Sequence, residues 1–259
     1  MPNERKQDRR APVPPWGSSA APVAGLLFDP AAQPGADNLV TLAQIAGTFD
    51  VVRRDDRPTA KGGRAELLRD GLMFDCRGLA PAPPLAVATV AQTIALPPAF
   101  ASAAHALVTI APGPQLAGAA QLLPVVRILA GLVLALAELP AVQAVVWLPA
   151  QIAMAPAWFV EAVGIWLQGG PFPALALTGL LRCDGGLASQ GLAYFTGQEF
   201  VLSGRDGSLR ENDMRGAVRL TDWLVAHGRI DAACDVDLTG FGTVRLMPEA
   251  PDRLRATVL

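Results

Sequence analysis

Residues 78–181 contain only three charged side chains, Arg127, Glu138 and Glu161, in a 259-residue chain that carries 21 Lys and Arg and 23 Asp and Glu. Charged groups are almost never fully buried unless paired, so a stretch this poor in them belongs mostly away from water. It is the interior of a globular fold, a membrane insert, or one side of a large interface. Two windows, 139–160 and 162–181, are free of charge for about the length of a membrane span. Proline decides against both: Pro140, Pro149 and Pro156 interrupt the first, Pro171 and Pro173 the second. Each removes a backbone donor, and in lipid the freed carbonyl must find another partner. The interior reading is preferred, and no transmembrane segment is expected.

The charge balance, −2 with both signs mixed, gives no broad basic field, so no nucleic-acid partner is expected. The three cysteines, Cys76, Cys183 and Cys234, are odd in number and widely spaced. They suit neither a disulfide framework nor a zinc site, and reduced cysteines point to the cytoplasm. Two histidines, His105 and His227, are too few for a His-rich metal site, and neither cofactor nor metal is expected. Residues 1–22 are charged, then rich in Pro, Ser and Ala, without the apolar core of a signal peptide. They read as a disordered tail ahead of one domain spanning 23–259, divided into parts 23–104 and 105–259.

Within that domain, 23–28 reads as a strand, 38–47 as a helix and 49–54 as a strand. Residues 65–76 form a strand pair turning at Asp70-Gly71. His105–Ile110 is a strand, with His105 read as a hydrogen-bonded core histidine. Residues 115–139 form a helix with Pro124 in its first turn or at a kink. Its circumference is apolar except for a stripe through Ala120, Pro124, Arg127, Gly131, Ala135 and Glu138, which marks a buried helix with one narrow face to water. Val142–Leu148 is an interior strand, a helix begins at Pro156 and stops at Gly169-Gly170, and Ala174–Leu181 reads as an apolar strand. Leu192–Leu202 reads as two strands about Thr196-Gly197, or one bulged strand. Ser208 to Glu211 is a capping-box pattern ahead of a helix. Met214, Ala217, Thr221, Leu224 and Val225 line one face of that helix, and His227-Gly228 ends it. Thr243–Met247 is the last strand. After residue 104 the order is β-α-β-α-β-β-α-β, an α+β fold with a mixed, largely antiparallel sheet and packed helices.

The string Asp235-Val236-Asp237-Leu238-Thr239 matches the D-x-D-x-T of haloacid-dehalogenase phosphatases, but IDAAC precedes it where that motif needs a hydrophobic strand. As a calcium loop it places Leu246 at the twelfth position, where a bidentate Glu is required. The alternative to chemistry is an acidic turn before the last strand. Ser189 in GGLASQG misses the G-x-S-x-G pattern by one residue. Glu199 is a carboxylate beside a strand turn. If the chain is an enzyme, Glu199, Asp235 and Asp237 are the candidates for a small hydrolase or metal-dependent reaction.

The blocks GLAYFTGQEFVLSG, DMRGAVRLTDWLVAHGRI and DVDLTGFGTVRL resemble the bacterial domain of unknown function 4261. Its glycine-started strand with an aromatic maps to Gly191–Phe195, its E-led strand to Glu199–Leu202, its helix to 211–227 and its closing turn to Asp235–Gly242. The upstream segment 105–148 is similar to what precedes that domain in longer relatives. DVDLTG departs from the D-G-D-T form of the closing turn. The resemblance implies a bacterial origin but no activity, cofactor or catalytic residue. The sequence thus favours a non-catalytic binding or accessory protein acting on a protein partner or a second copy of itself.

Overall fold

Asp70 (φ 48°) and Gly71 (φ 79°) both adopt positive φ, the conformation of a two-residue hairpin turn whose twist matches its strands. They join two strands of a sheet whose eight members come from the first two thirds of the chain. The computed structural model describes residues 20–57, 63–87, 89–204 and 210–259, excepting the Glu211 side chain. In chain order the elements of the first part are β1 (Ala24–Phe28), α1 (Ala36–Ala46), β2 (Asp50–Asp55), β3 (Arg64–Arg69), β4 (Leu72–Arg77), β5 (Gln92–Ile94), β6 (Ala106–Pro112), α2 (Leu123–Leu136), β7 (Val142–Trp147) and β8 (Ile152–Met154). The second part adds α3 (Pro156–Leu167), α4 (Ala174–Leu177), β9 (Gly179–Cys183), β10 (Gly186–Gln190), α5 (Ala193–Thr196), β11 (Glu199–Ser203), α6 (Glu211–His227), β12 (Cys234–Leu238), β13 (Gly242–Ala250) and β14 (Arg253–Val258).

The strands form two sheets, in the orders β2-β3-β4-β6-β1-β7-β8-β5 and β12-β13-β14-β11-β10-β9. Pairing is antiparallel except for β5 with β8 and β11 with β14. The fold class is α+β, with two sheets where patterning led to one.

The charge-poor stretch supplies β5, β6, β7 and β8 of the first sheet, and β1, from ahead of it, lies between β6 and β7. Every residue of β1 and β6 is buried, because both faces are covered. Val108 and Ile110 point with Leu26, Phe74 and Trp147 into a core closed by α1, α2 and α3. Leu107 points the other way with Leu27 and Val146, under Val87, Val90, Leu96 and Phe100, which flank β5. A strand buried on both faces reads as a continuous apolar run, and the segment covering its second face must be apolar as well. Among the described residues no helix is long and apolar enough to cross a membrane.

Several expectations are corrected. Helix α2 begins at Leu123, with Pro124 in its first turn. Its predicted polar stripe is partly covered: Gly131 and Ala135 are buried, and at Gly131 the Arg69 side chain lies against the helix, its Nη1 donating to Gly131 O at 2.8 Å. Residues 174–177 are a helical turn, not strand. Residues 193–196 are also helical, ended by Gly197 at φ 76°, so Gly191–Phe195 is not the strand that the family resemblance implies. Strands β5, β8, β10, β12 and β14 are additions, and Asp235 and Asp237 lie within a strand, not in a turn. His105 is only half-buried: its Nδ1 lies 2.9 Å from Ala101 O and its ring stacks on Phe100. Met214 is exposed, while Ala217, Leu220, Thr221 and Leu224 are buried. The Ser208 capping pattern and residues 1–19 of the proposed tail lie outside the described residues. At the start of α6, Asp213 Oδ2 accepts from Arg210 N at 2.7 Å.

Aromatic rings join the two sheets. Trp147 of the first core meets Tyr194 edge-on, Tyr194 meets Phe195, Phe195 meets Phe172 and Phe172 meets Trp166, at centroid separations of 5.2–6.3 Å. Such edge-to-face pairs add to the burial of their large apolar area. Phe172 and Phe195 pack against both cores. Gly191 (φ 83°) allows this approach, since a Cβ there would lie 2.7 Å from the backbone of Ala150.

Candidate functional site

The three carboxylates singled out in the sequence do not meet. Glu199 begins β11, while Asp235 and Asp237 are on β12, three strands away in the order of the second sheet. At the usual strand spacing that is about 14 Å. Glu199 closes a local structure: its Oε2 accepts from Ser189 Oγ at 2.5 Å and its Oε1 from Ala193 N at 3.0 Å, at the start of the turn of helix α5. Ser189 Oγ in turn accepts from Phe200 N at 2.8 Å. Ser189 is buried, held between a carboxylate and a backbone amide. Asp235 faces Arg245 directly across β12 and β13, accepting from Nε and Nη2 at 2.8 Å each. That two-pronged pair holds the Asp235 carboxyl below its ordinary range, chiefly through the Arg245 hydrogen bonds. Asp237 is exposed, opposite Thr243. Among the described residues, no group of three or more His, Cys, Asp or Glu side chains is placed to hold a metal ion.

Strand β12 pairs with β13, β13 with β14 and β14 with β11 so that Val236, Val244, Leu246, Leu254, Ala256, Phe200 and Leu202 point inward beneath α6. The alternate residues point outward: Asp235, Arg245, Met247, Arg253 and Arg255 are all exposed. One face of this sheet is therefore core and the other is open surface, the arrangement antiparallel sheets allow.

A further group of charges lies on the first sheet. Its outward-facing positions bring together Arg64 and Glu66 of β3 with Asp75 and Arg77 of β4; the register sets Arg64 opposite Arg77 and Glu66 opposite Asp75. Asp75 is 1% exposed. Its Oδ1 accepts from Arg64 Nε and its Oδ2 from Arg77 Nε, the latter at 2.7 Å. A carboxylate is tolerated there because two guanidinium groups replace its water. Next along, Asp55 accepts from Arg57 Nε at 2.8 Å and from its Nη2 and backbone N. Those side-chain bonds hold the Asp55 carboxyl down at about 2. Burial pushes the neighbouring Cys76 thiol strongly up, with the Asp75 charge adding to it.

Arg77 also lines a half-open cleft of about 480 Å³, together with Thr109 and Ala111 of β6, Leu107, Leu85, Leu148 and residues 20–22. Gly78 (φ 86°) shapes one wall: a Cβ there would lie 2.3 Å from Leu107 O and 3.1 Å from the Leu85 side chain. Its absence lets Leu85 bridge directly to Leu107. A second hollow of about 570 Å³ adjoins across residues 20–22 and Leu148, where Tyr194 contributes its ring. The Tyr194 hydroxyl donates to Ala120 O at 2.9 Å, and burial pushes it up to about 12.

None of Arg64, Asp75 and Arg77 is singled out by the sequence reading, although Arg77 immediately precedes the charge-poor stretch 78–181. The signal is the alternation of Phe74, Asp75, Cys76 and Arg77 in a half-buried strand, which sets Asp75 and Arg77 on one face. No protein-family model, curated protein or solved structure matches this chain.

Proposed function

We propose that this chain is a non-catalytic accessory protein of the cytoplasm that acts through contacts with a protein partner or with a second copy of itself. The observation that carries this reading is the open face of the second sheet. It presents Arg245, Arg253 and Arg255 around Met247, which is 45% exposed. Arg and Met are among the residues enriched where proteins meet. Charge pairs at its rim, Asp235 with Arg245 and Glu249 with Arg255, suit partner selection more than raw affinity. Separation of the carboxylates weighs against the hydrolase alternative, since about 14 Å of sheet exceeds the span of a two-carboxylate hydrolase. The three unpaired cysteines fit a reducing compartment. Kinship with the 4261 family remains a proposal on which this reading does not depend.

The test is light scattering across a concentration series, with pull-down by wild type and by Met247→Glu. The expected result is self-association, or a retained partner, that Met247→Glu weakens at least tenfold. A monomer at every concentration, with no partner lost on substitution, refutes the reading.

A further inference from the structure

We infer that the open edge of β12 takes up an extended segment of a partner protein as an added strand, with a Lys or Arg facing Asp237. This rests on the protein-contact reading and names the chemistry of the partner. In an antiparallel ladder each residue directs its N–H and C=O to the same side, and successive residues alternate. Leu259 N donates to Thr243 O at 3.0 Å, so Thr243, Arg245 and Met247 bond toward β14, and Val244 and Leu246 bond toward β12. Val236 and Cys234 answer those two. The N–H and C=O of Asp235 and Asp237 therefore point off the edge of the sheet. Among the described residues no turn or loop backbone group meets them.

The other sheet edges are protected in ways that β12 is not. Strand β2 is bulged between Val51 and Arg53, and β5 has only three residues; both features blunt an edge. Strand β9 abuts the first sheet, its Leu180 O accepting from Gln92 Nε2 at 2.9 Å. Strand β12 runs five residues in unbroken register with β13. Its aspartates guard it against a second copy of itself. An antiparallel pair of copies centred on Val236 would set Asp235 against Asp237 twice, and a shift of two residues would set one aspartate against its own copy. Like charges directly opposite are destabilising.

The same carboxylates select a basic partner. Directly opposite residues bring their Cβ atoms to about 5 Å, within reach of an ammonium or guanidinium group. Asp235 is already answered by Arg245. Asp237 is exposed, faces the uncharged Thr243 and makes no ion pair among the described residues. One basic side chain opposite Asp237 is therefore required. The next residue of the added strand lies beside Val236 on the inward face, where Cys234, Val236 and Leu238 form an apolar row, so it is apolar. Main-chain bonds supply affinity in such strand addition, and alternate side chains supply specificity.

Anisotropy of dye-labelled, capped nonapeptides titrated with the full chain tests this. One peptide alternates Thr and Val with Lys at its centre, and the other carries Glu there. The Lys peptide is expected to bind at least tenfold more tightly, and Asp237→Lys should reverse the preference. Methylation of the Lys amide nitrogen, which faces β12, should weaken binding at least tenfold. Methylation of the following Val amide, which faces away, should leave it within twofold. If Asp237→Lys does not fold, the two methylated peptides on the wild type carry the test. Equal affinity for the Lys and Glu peptides, or equal effects of the two methylations, overturns the inference. Absence of binding by the Lys peptide overturns it too, and the protein-contact reading then stands if Met247→Glu still weakens association and falls with it if not.

Discussion

Asp75→Ala is the most informative single substitution in this chain, because the three members of its ion cluster differ so much in exposure. The Arg64 side chain is 10% exposed and Asp75 2%, whereas Arg77 is 44% exposed. Removing one partner of a buried pair costs about 3–5 kcal/mol, since it leaves an uncompensated charge in low dielectric. An exposed pair is worth only about 0–1 kcal/mol, because water screens it. Asp75→Ala deprives Arg64 and Arg77 of their shared acceptor at once, so its cost is set by Arg64 and should fall at about 3–5 kcal/mol. Arg77→Leu, by contrast, should cost about 1 kcal/mol or less, since Arg64 remains to neutralise the carboxylate. Arg64→Met combined with Asp75→Leu should lose less than Asp75→Ala alone, as apolar replacement of both partners removes the buried charge altogether. Urea denaturation followed by tryptophan fluorescence measures all three, because Trp147, Trp158 and Trp166 report on the first core. The reasoning fails if Asp75→Ala stays within about 1 kcal/mol of wild type, or if Arg77→Leu costs as much as Asp75→Ala.

Three further outcomes are expected. In the native state a chromogenic disulfide reagent should modify exposed Cys183 first and Cys234 more slowly. Cys76, buried and with its thiol pushed up, should react only on unfolding; fast modification of all three would contradict this. Asp55, held down at about 2 by Arg57, contributes stability that is full above its ordinary pKa near 4 and lost as pH falls toward 2. The stability gap between wild type and Asp55→Asn, measured by urea titration at pH 6, 4 and 2.5, should therefore narrow on acidification, and a constant gap would refute the assignment. Gly191→Ala combines a positive φ with a Cβ 2.7 Å from the Ala150 backbone, so it should cost about 2 kcal/mol or more by strain and overpacking. A thermal midpoint equal to wild type would show that the contact between the sheets yields.

Strands flanked by strong turn chemistry were legible: Asp70-Gly71 marked its hairpin, Pro156 its helix start and Gly228 its helix end. Periodicity failed where both candidate structures are short and apolar. Ala174–Leu177 and Ala193–Thr196 are single helical turns, and over four residues an apolar run has no period to distinguish helix from strand. Their conformation depends on tertiary contacts: the aromatic chain through Phe172 and Phe195, and the Glu199 carboxylate that accepts from Ala193 N. The second sheet was missed because its edge strand CDVDL alternates polar and apolar with two aspartates, a composition that argues for a turn when read alone. In the sheet, Asp235 is answered directly by Arg245 of β13, and such a partner is not visible within the segment itself.

The charge-poor stretch shows the same division between what is local and what is not. Its composition calls for burial, and β6, which it supplies, is buried on both faces. Composition does not say what covers the second face. A different set of prolines, Pro81, Pro83, Pro84, Pro97 and Pro98, limits regular structure on either side of β5, where Val87, Val90, Leu96 and Phe100 cover the sheet. Where this cover begins, Leu85 bridges to Leu107 beside Gly78, and Arg77, its Nε held by Asp75, lines the cleft next to them. The border between charged and uncharged sequence is thus a border in space as well. One side of it is an ion cluster and the other an apolar lining, and the cleft lies where the two meet.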